Sequence, residues 1–293
     1  MTPETGPAFR PERAITDSIM NPNKALWEKG DFTRIASMMR ESGEELVQSL
    51  FDQFNLHLPM RVLDLGCGDG TTAVPMARIG AEVVGIDIAR NLVEAGNKRA
   101  KEEGLSNLTF QEGDACKLEG IADESFDMSI SIFGAMFAPR PKDVAAELLR
   151  VTKQGRRIVM GNWIPNDPES FVSQLLKISA AYTPPPPEGF VSPMLWGVEE
   201  QIYDRFPGIP RQHILFDRET FHFRSDRDTA DAVDTFRLYY GPTMNAFEAA
   251  EKNGKADQLR NELLKLAKDF NRSQVDGTTV IPATYLRVTV NHS

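Results

Sequence analysis

An α/β fold with a mostly parallel sheet and helices on both faces follows from three observations. Apolar runs of strand length alternate with helix-spaced segments from Arg61 to Asn162. The first run, Val62-Leu63-Asp64-Leu65, leads into a turn spelled Gly66-Cys67-Gly68-Asp69-Gly70. An acidic residue, Asp87, ends the second run about 20 residues beyond those glycines. Alternation of this kind argues for parallel strands in the middle with helices on either side.

The elements follow in order. Residues 1 to about 20 are rich in Pro, Thr and charge and are expected to be poorly ordered. Ile35, Met38 and Met39, then Leu46, Val47, Leu50, Phe51 and Phe54, recur at helical spacing, which predicts N-terminal helices lying on the core. Arg61 to Leu65 is the first strand, and its helix is expected from about Thr71 to Ile79. Pro75 sits inside that pattern and requires a kink or a late helix start. Glu82 to Asp87 is the second strand, followed by a helix from about Asn91 to Glu103 that stops at Gly104, a natural C-cap. Leu108 to Gln111 and Phe126 to Ile132 are the third and fourth strands. Val144 to Val151 carries the next helix, and Arg157 to Asn162 is the fifth strand.

After Trp163 the pattern changes. A helix from about Glu169 to Ala181 meets Pro184-Pro185-Pro186-Pro187, a stiff extended segment. A short helix is expected to contain Val198 to Phe206, and Ile214 to Phe223 alternates as a strand. Helices rich in aromatic and charged residues follow, the last with Leu259, Leu263, Leu266 and Phe270 on one face. Tyr285 to Val290 closes the chain as a strand. The chain thus divides into an N-terminal helical extension or flap (1–55), a nucleotide-binding core (56–165), helical cover with one late strand (166–275) and a terminal strand returning to the sheet (276–293). At 293 residues this is one elaborated domain better than two equal ones.

A net charge of −9 argues against binding a phosphate backbone, so no nucleic acid partner is expected. Cys67 and Cys116 give neither a disulfide framework nor zinc spacing, and His57, His213, His222 and His292 are scattered, so no metal is expected. No signal-peptide layout and no stretch of ~20 apolar residues occurs, which predicts a soluble, cytoplasmic chain without stable membrane insertion. Oligomeric state stays open.

Glycine has no Cβ and tolerates unusual φ, so Gly66 to Gly70 lets backbone approach a ligand. The dehydrogenase fingerprint places its third glycine one position later, where this chain has Thr71. With Asp64 just ahead, able to accept hydrogen bonds at the head of the turn, the motif resembles that of the class I S-adenosylmethionine-dependent methyltransferases. Their first motif is an acidic residue, any residue, then Gly-x-Gly-x-Gly. Five strand–helix units followed by two late strands match the family's Rossmann-like seven-stranded sheet, whose last strand is antiparallel. The likeness covers about residues 60 to 165 at motif level.

The resemblance implies S-adenosylmethionine as cofactor and S-adenosylhomocysteine as product. Gly66, Cys67, Gly68 and Gly70 would pass beneath its methionine part, with Asp64 supporting the turn. Asp87 would accept from the ribose hydroxyls, a role shared with NAD sites, so Asp87 supports an adenosine without choosing between cofactors. Asp114 would accept from the adenine amino group, Ala115 would offer its N–H to a ring nitrogen, and Ile88 would pack on the adenine. Ser131, with Phe133 beyond it, ends the fourth strand, where the family uses a backbone carbonyl for the cofactor's ammonium. Two departures are Thr152-Lys153-Gln154-Gly155-Arg156, where Leu-Lys-Pro-Gly-Gly is common, and Ala89 at a position where a capping Ser is common.

Leu26 to Arg34 is expected to form a flap, with Trp27 packing on the cofactor and Arg34 meeting its carboxylate. The end of the fourth strand, Ser131-Ile132-Phe133-Gly134, lacks the Asn/Asp-Pro-Pro-aromatic motif of amino-methylating enzymes, and no acidic metal ligands adjoin it. A small or lipid-like acceptor in a covered pocket remains. Met136, Phe137, Trp163 and Tyr182 are candidate wall residues, as are Trp196, Tyr239 and Tyr240, although large aromatics more often serve the core. No general base is evident, so no catalytic residue is assigned. The expected activity is in-line methyl transfer to oxygen or carbon of a small, apolar or aromatic metabolite, with a general likeness to the quinone-biosynthesis group. The alternatives are methylation of a polyprenyl quinone or other lipid, a non-catalytic S-adenosylmethionine-binding regulatory protein, and an NAD(P) oxidoreductase, which Gly70 and Thr71 disfavour.

Overall fold

One sheet of seven strands runs through residues 24–292, the part of the chain that the computed structural model describes. The expected disorder of residues 1 to 20 falls outside that part. The strands are β1 (Arg61–Leu65), β2 (Glu82–Asp87), β3 (Leu108–Glu112), β4 (Phe126–Ile132), β5 (Thr152–Trp163), β6 (Ile214–Ser225) and β7 (Thr279–His292). Their order is β3-β2-β1-β4-β5-β7-β6, with β7 antiparallel to both neighbours and β1 to β5 parallel. This is the expected Rossmann-like architecture. The chain steps outward from β1 to β3, then returns to place β4 beside β1. The crevice at that reversal is where open α/β sheets bind ligands.

The helices are α1 (Lys24–Lys29), α2 (Thr33–Ser37), α3 (Arg40–Phe54), α4 (Ala73–Arg78), α5 (Arg90–Glu102), α6 (Pro141–Val151), α7 (Phe171–Ala180), α8 (Glu199–Arg205), α9 (Thr229–Tyr239), α10 (Gly241–Lys252) and α11 (Ala256–Phe270). β1 is buried on both faces, as a central parallel strand must be, so its apolar run does not alternate. α4 resolves the question posed by Pro75: the helix starts late, at Ala73, which puts Pro75 in its first turn, where a missing N–H costs nothing.

β5 begins at Thr152, ahead of the expected Arg157. Thr152 pairs with Phe126 and Arg157 with Met128, so the intervening residues bulge around Gly155, whose φ is 74°. A bulge of this kind hides a strand's start from a periodicity reading. β6 and β7 also exceed expectation, because they pair in unbroken antiparallel register from Ile214↔Val290 to Ser225↔Thr279. The edge strand β6 is covered where His222 N–H donates to Ser42 Oγ at 3.1 Å and Arg224 N–H to the Met38 carbonyl at 2.8 Å, so α2 and α3 dock there. Helices α7, α9, α10 and α11 pack on one another as cover. On α11 the buried face is Leu259, Leu263 and Ala267, with Leu266 and Phe270 partly exposed beside it. Among the described residues, no helix is long and apolar enough to cross a membrane.

Candidate functional site

A cleft opens at the carboxyl ends of β1, β2, β4 and β5. One end is shaped by backbone. The Gly66 and Cys67 N–H groups both donate to the Ile86 carbonyl, at 2.7 and 3.2 Å, which ties the turn after β1 to β2. Gly66 (φ 70°) lies against Gly134 so closely that a Cβ on Gly134 would stand 2.2 Å from the Gly66 carbonyl oxygen. Only two glycines permit that approach. Gly70 lies under the Phe110 ring, whereas a Cβ on Gly68 would meet nothing within 4 Å and Gly68 lines the cleft.

Asp87 is the acidic group on this wall. One carboxylate oxygen accepts from Gly68 N–H and the other from Ala89 N–H, both at 2.9 Å. Burial raises its pKa above the usual range, and those backbone bonds oppose the rise. Beside it, Asp69 accepts from Arg40 Nη2 at 2.8 Å through Oδ2, while Oδ1 is buried without a partner. Gly113, Ala115 and Ile88 line the same end, as does Cys67, whose thiol is buried and pushed well above its normal pKa. That thiol is inert rather than nucleophilic.

Three side chains stand behind this wall, Asp64 among them in the supporting role expected of it. Asp64 does not line the cleft; its Oδ2 accepts from Thr72 Oγ1 at 2.6 Å, bracing the start of α4. Burial raises the Asp64 pKa to about 7, with the Thr72 hydrogen bond opposing. Ser131 Oγ donates to the Leu65 carbonyl at 2.6 Å and accepts from Ala135 N–H at 3.0 Å, so it staples β4 to β1. The Asp114 carboxylate accepts from Cys116 N–H at 2.8 Å and closes its own turn, so the Asp114 side chain lies off the lining between Gly113 and Ala115.

The other end is shaped by rings. Phe133 takes φ 63°, a conformation rare for a bulky residue, and its ring stacks on Trp163 with centroids 3.7 Å apart and planes 7° from parallel. Trp27 of α1 meets Phe137 edge-on at 4.9 Å and Tyr240 at 6.1 Å. Phe32, Phe223 and Phe236 complete this end. The flap is held down by polar contacts: Lys24 and Arg90 both pair with Glu112, and Lys29 pairs with Glu248.

Of the expected acceptor-wall residues, the cleft gathers Phe137, Trp163 and Tyr240 and leaves out four. Met136 is buried in the core beneath it. Trp196 is buried elsewhere with the Arg205 guanidinium 4.2 Å over its ring. Tyr182 donates to Glu262 at 2.8 Å on α11, and Tyr239 ends α9 with its carbonyl against Gly30. In the flap, Trp27 lines the cleft, but Arg34 is exposed and pairs with Asp31 at 3.4 Å. Two other guanidinium groups flank the glycine turn: Arg40 pairs with the Asp69 carboxylate at 2.8 Å, and Arg99 of α5 donates to the Gly70 carbonyl at 3.2 Å. Helical geometry explains the exchange, since Ile35 and Ala36 bury the face of α2 that turns inward and leave Arg34 outside. Arg40, Gly134, Phe223 and Phe236 were not visible as site residues in the sequence. Asp69 was visible inside the glycine motif but carried no signal of its partner.

These residues suit a nucleoside cofactor: an open glycine, a buried carboxylate with lone pairs to spare, an orphaned Asp69 oxygen, and apolar Ile88 and Leu92 beside them. Among the described residues no group of acidic, His or Cys side chains could hold a metal.

A methyltransferase-domain family model matches residues 56–177. An uncharacterized protein of Mycobacterium tuberculosis is 32% identical over 255 residues, spanning 85% of this chain and 88% of that protein. A methyltransferase of Streptomyces halstedii is 33% identical over 126 residues, 42% of this chain and 45% of its own. The crystal structure of the YcgJ protein of Bacillus subtilis superposes with a TM-score of 0.53 at 19% identity, covering 86% of this chain and 99% of that one.

Proposed function

The chain belongs to the class I S-adenosylmethionine-dependent methyltransferases, and we propose that it methylates oxygen or carbon of a small, apolar, ring-bearing metabolite. The observation that carries the acceptor class is the uncharged, ring-lined end of the cleft, continuous with the glycine-turn end. S-adenosylmethionine, when bound, supplies a methyl group already activated as a sulfonium. The protein's task is then to hold two partners in line and exclude water, which is where most of such an acceleration originates.

In this reading Gly68 and its neighbours pass beneath the methionine part, and Asp87 accepts from the ribose hydroxyls. Ile88 packs on the adenine, and Ala115 offers it a backbone N–H. The stacked Phe133 and Trp163 form the wall against which a flat acceptor lies, and the Trp27 flap closes over it. Among the described residues no carboxylate, lysine or histidine lines the ring end, so in this reading the acceptor's own nucleophilicity and its orientation carry the reaction.

Calorimetric titration with S-adenosylhomocysteine and NADH tests the cofactor end, with transfer of labelled methyl to a panel of phenols and β-dicarbonyl compounds as the second step. Selective binding of the sulfur ligand and labelling of ring-bearing members support the reading. Labelling confined to amines or to polar, ring-free compounds would overturn the acceptor class.

A further inference from the structure

The ring-lined end of the cleft contains one hydroxyl with nothing to bind. Tyr240 is only 4% exposed and lines the cleft, yet its Oη has no hydrogen-bond partner among the described residues. A tyrosine presents an apolar ring and a polar tip, and in such largely buried surroundings the hydroxyl normally finds a partner. The rings of Trp27, Phe32 and Phe236 lie around its own ring, with centroids 6.1, 6.3 and 5.6 Å away. Burial alone pushes the Tyr240 phenol above its usual pKa, with no charge or hydrogen bond contributing, so it stays protonated and serves as a donor rather than a base.

The local sequence puts that hydroxyl there. α9 ends at Tyr239, and Tyr240 leaves the helix in an extended conformation (φ −98°, ψ 110°) with its N–H on the Phe236 carbonyl at 3.1 Å. Gly241 and Pro242 then open α10, and Leu26 of the flap lies so close that a Cβ on Gly241 would stand 2.9 Å from it. The junction is therefore clamped from outside, which turns Tyr240 into the cleft while Tyr239 stays out.

We propose that Tyr240 is the specificity-determining residue of the acceptor site, donating its hydroxyl hydrogen to an oxygen of a ring-bearing acceptor. The substrate class is then an uncharged ring compound carrying a carbonyl, ether or similar accepting oxygen, held by rings on its faces and by one hydrogen bond at its edge. This rests on the reading of the cleft as a methyltransferase's acceptor site.

The test compares 1-tetralone with tetralin, which share a ring skeleton and differ by one carbonyl oxygen. Both are titrated into the S-adenosylhomocysteine-loaded protein and into Tyr240→Phe prepared the same way. The wild type should bind the ketone about fivefold to tenfold more tightly, the share one neutral hydrogen bond contributes. In Tyr240→Phe that preference should fall below about twofold, with tetralin and S-adenosylhomocysteine affinities unchanged. A wild type without preference, a preference that survives in Tyr240→Phe, or failure of both ring compounds to bind would each overturn the proposal. Failure of S-adenosylhomocysteine to bind the wild type would instead strike the underlying functional reading.

Discussion

At the glycine-turn end of the cleft, the strand ends and turns of one contiguous sequence segment bring backbone N–H groups and carboxylates together. At the ring-lined end, side chains arrive from α1, β4, β5, β6, α9 and the turn after β4, and little backbone is in play. The first end is specified by φ angles and close approaches that admit few residues. The second is specified by which large side chain happens to face inward. Such a division lets the ring-lined end change by ordinary substitutions while the glycine-turn end stays the same.

The largest effect is expected from Asp64, behind the glycine turn. Its carboxyl ionises near pH 4 in an unfolded chain and at about 7 in the fold, because burial penalises the charge. The folded state therefore holds this proton more tightly, so the associated stability is full below about pH 4 and is lost as pH rises toward 7. The loss reaches up to about 1.4 kcal/mol per pH unit across that window. Asp64→Asn cannot ionise, and its urea-unfolding free energy should lack this component between pH 4.5 and 6.5. Parallel profiles for the two proteins would show that Asp64 is not held neutral.

Gly134→Ala comes next. The added Cβ would meet the Gly66 carbonyl oxygen at 2.2 Å, and neither partner is a flexible side chain. Overpacking of this kind costs ~1–3 kcal/mol, and prying the two loops apart should weaken S-adenosylhomocysteine binding by about a hundredfold, or roughly 2.7 kcal/mol. Binding within threefold of wild type would mean the backbone contact does not shape the cofactor end.

A reciprocal pair sharpens the comparison further. Asp87→Asn should weaken S-adenosylhomocysteine by about tenfold to thirtyfold, since an amide must present a donor to one of two backbone N–H groups. It should leave the affinity for 1-tetralone nearly unchanged. Trp163→Leu removes the ring stacked on Phe133 and should do the reverse. Loss of both ligands in both variants would show the ends to be one cooperative unit.

The same division explains what could be read beforehand. The strands and the glycine turn were legible because strand burial and φ requirements act on neighbours in sequence, whereas the antiparallel last strand was legible only through the family resemblance. Asp87 was legible through its spacing from the turn. The ring end was legible only in kind: Phe137, Trp163 and Tyr240 face the cleft, while Met136, Tyr182, Trp196 and Tyr239 face other surroundings. Tyr239 and Tyr240 show why. They are identical neighbours, and only the end of α9 between them decides which points inward. Asp114 carries a different lesson, since motif position located its turn but not whether the side chain faces a ligand or the protein's own N–H groups.

The smallest expected effect concerns the two arginines near the flap. Arg34 has 65% of its side chain exposed and is paired with an exposed aspartate, so Arg34→Ala should change S-adenosylhomocysteine affinity less than about twofold. Arg40 instead reaches Asp69, whose side chain is 3% exposed at the cleft wall. Without that guanidinium the Asp69 carboxyl, already raised by burial, loses the larger of the two charges that oppose the rise and keeps only that of Arg99. Its turn then loses its anchor to α3, and Arg40→Ala should weaken binding about threefold to tenfold. Calorimetric titration of both variants decides the matter. The opposite ranking would return Arg34 to the cofactor and make the flap, rather than α3, the cation-bearing side of the glycine-turn end.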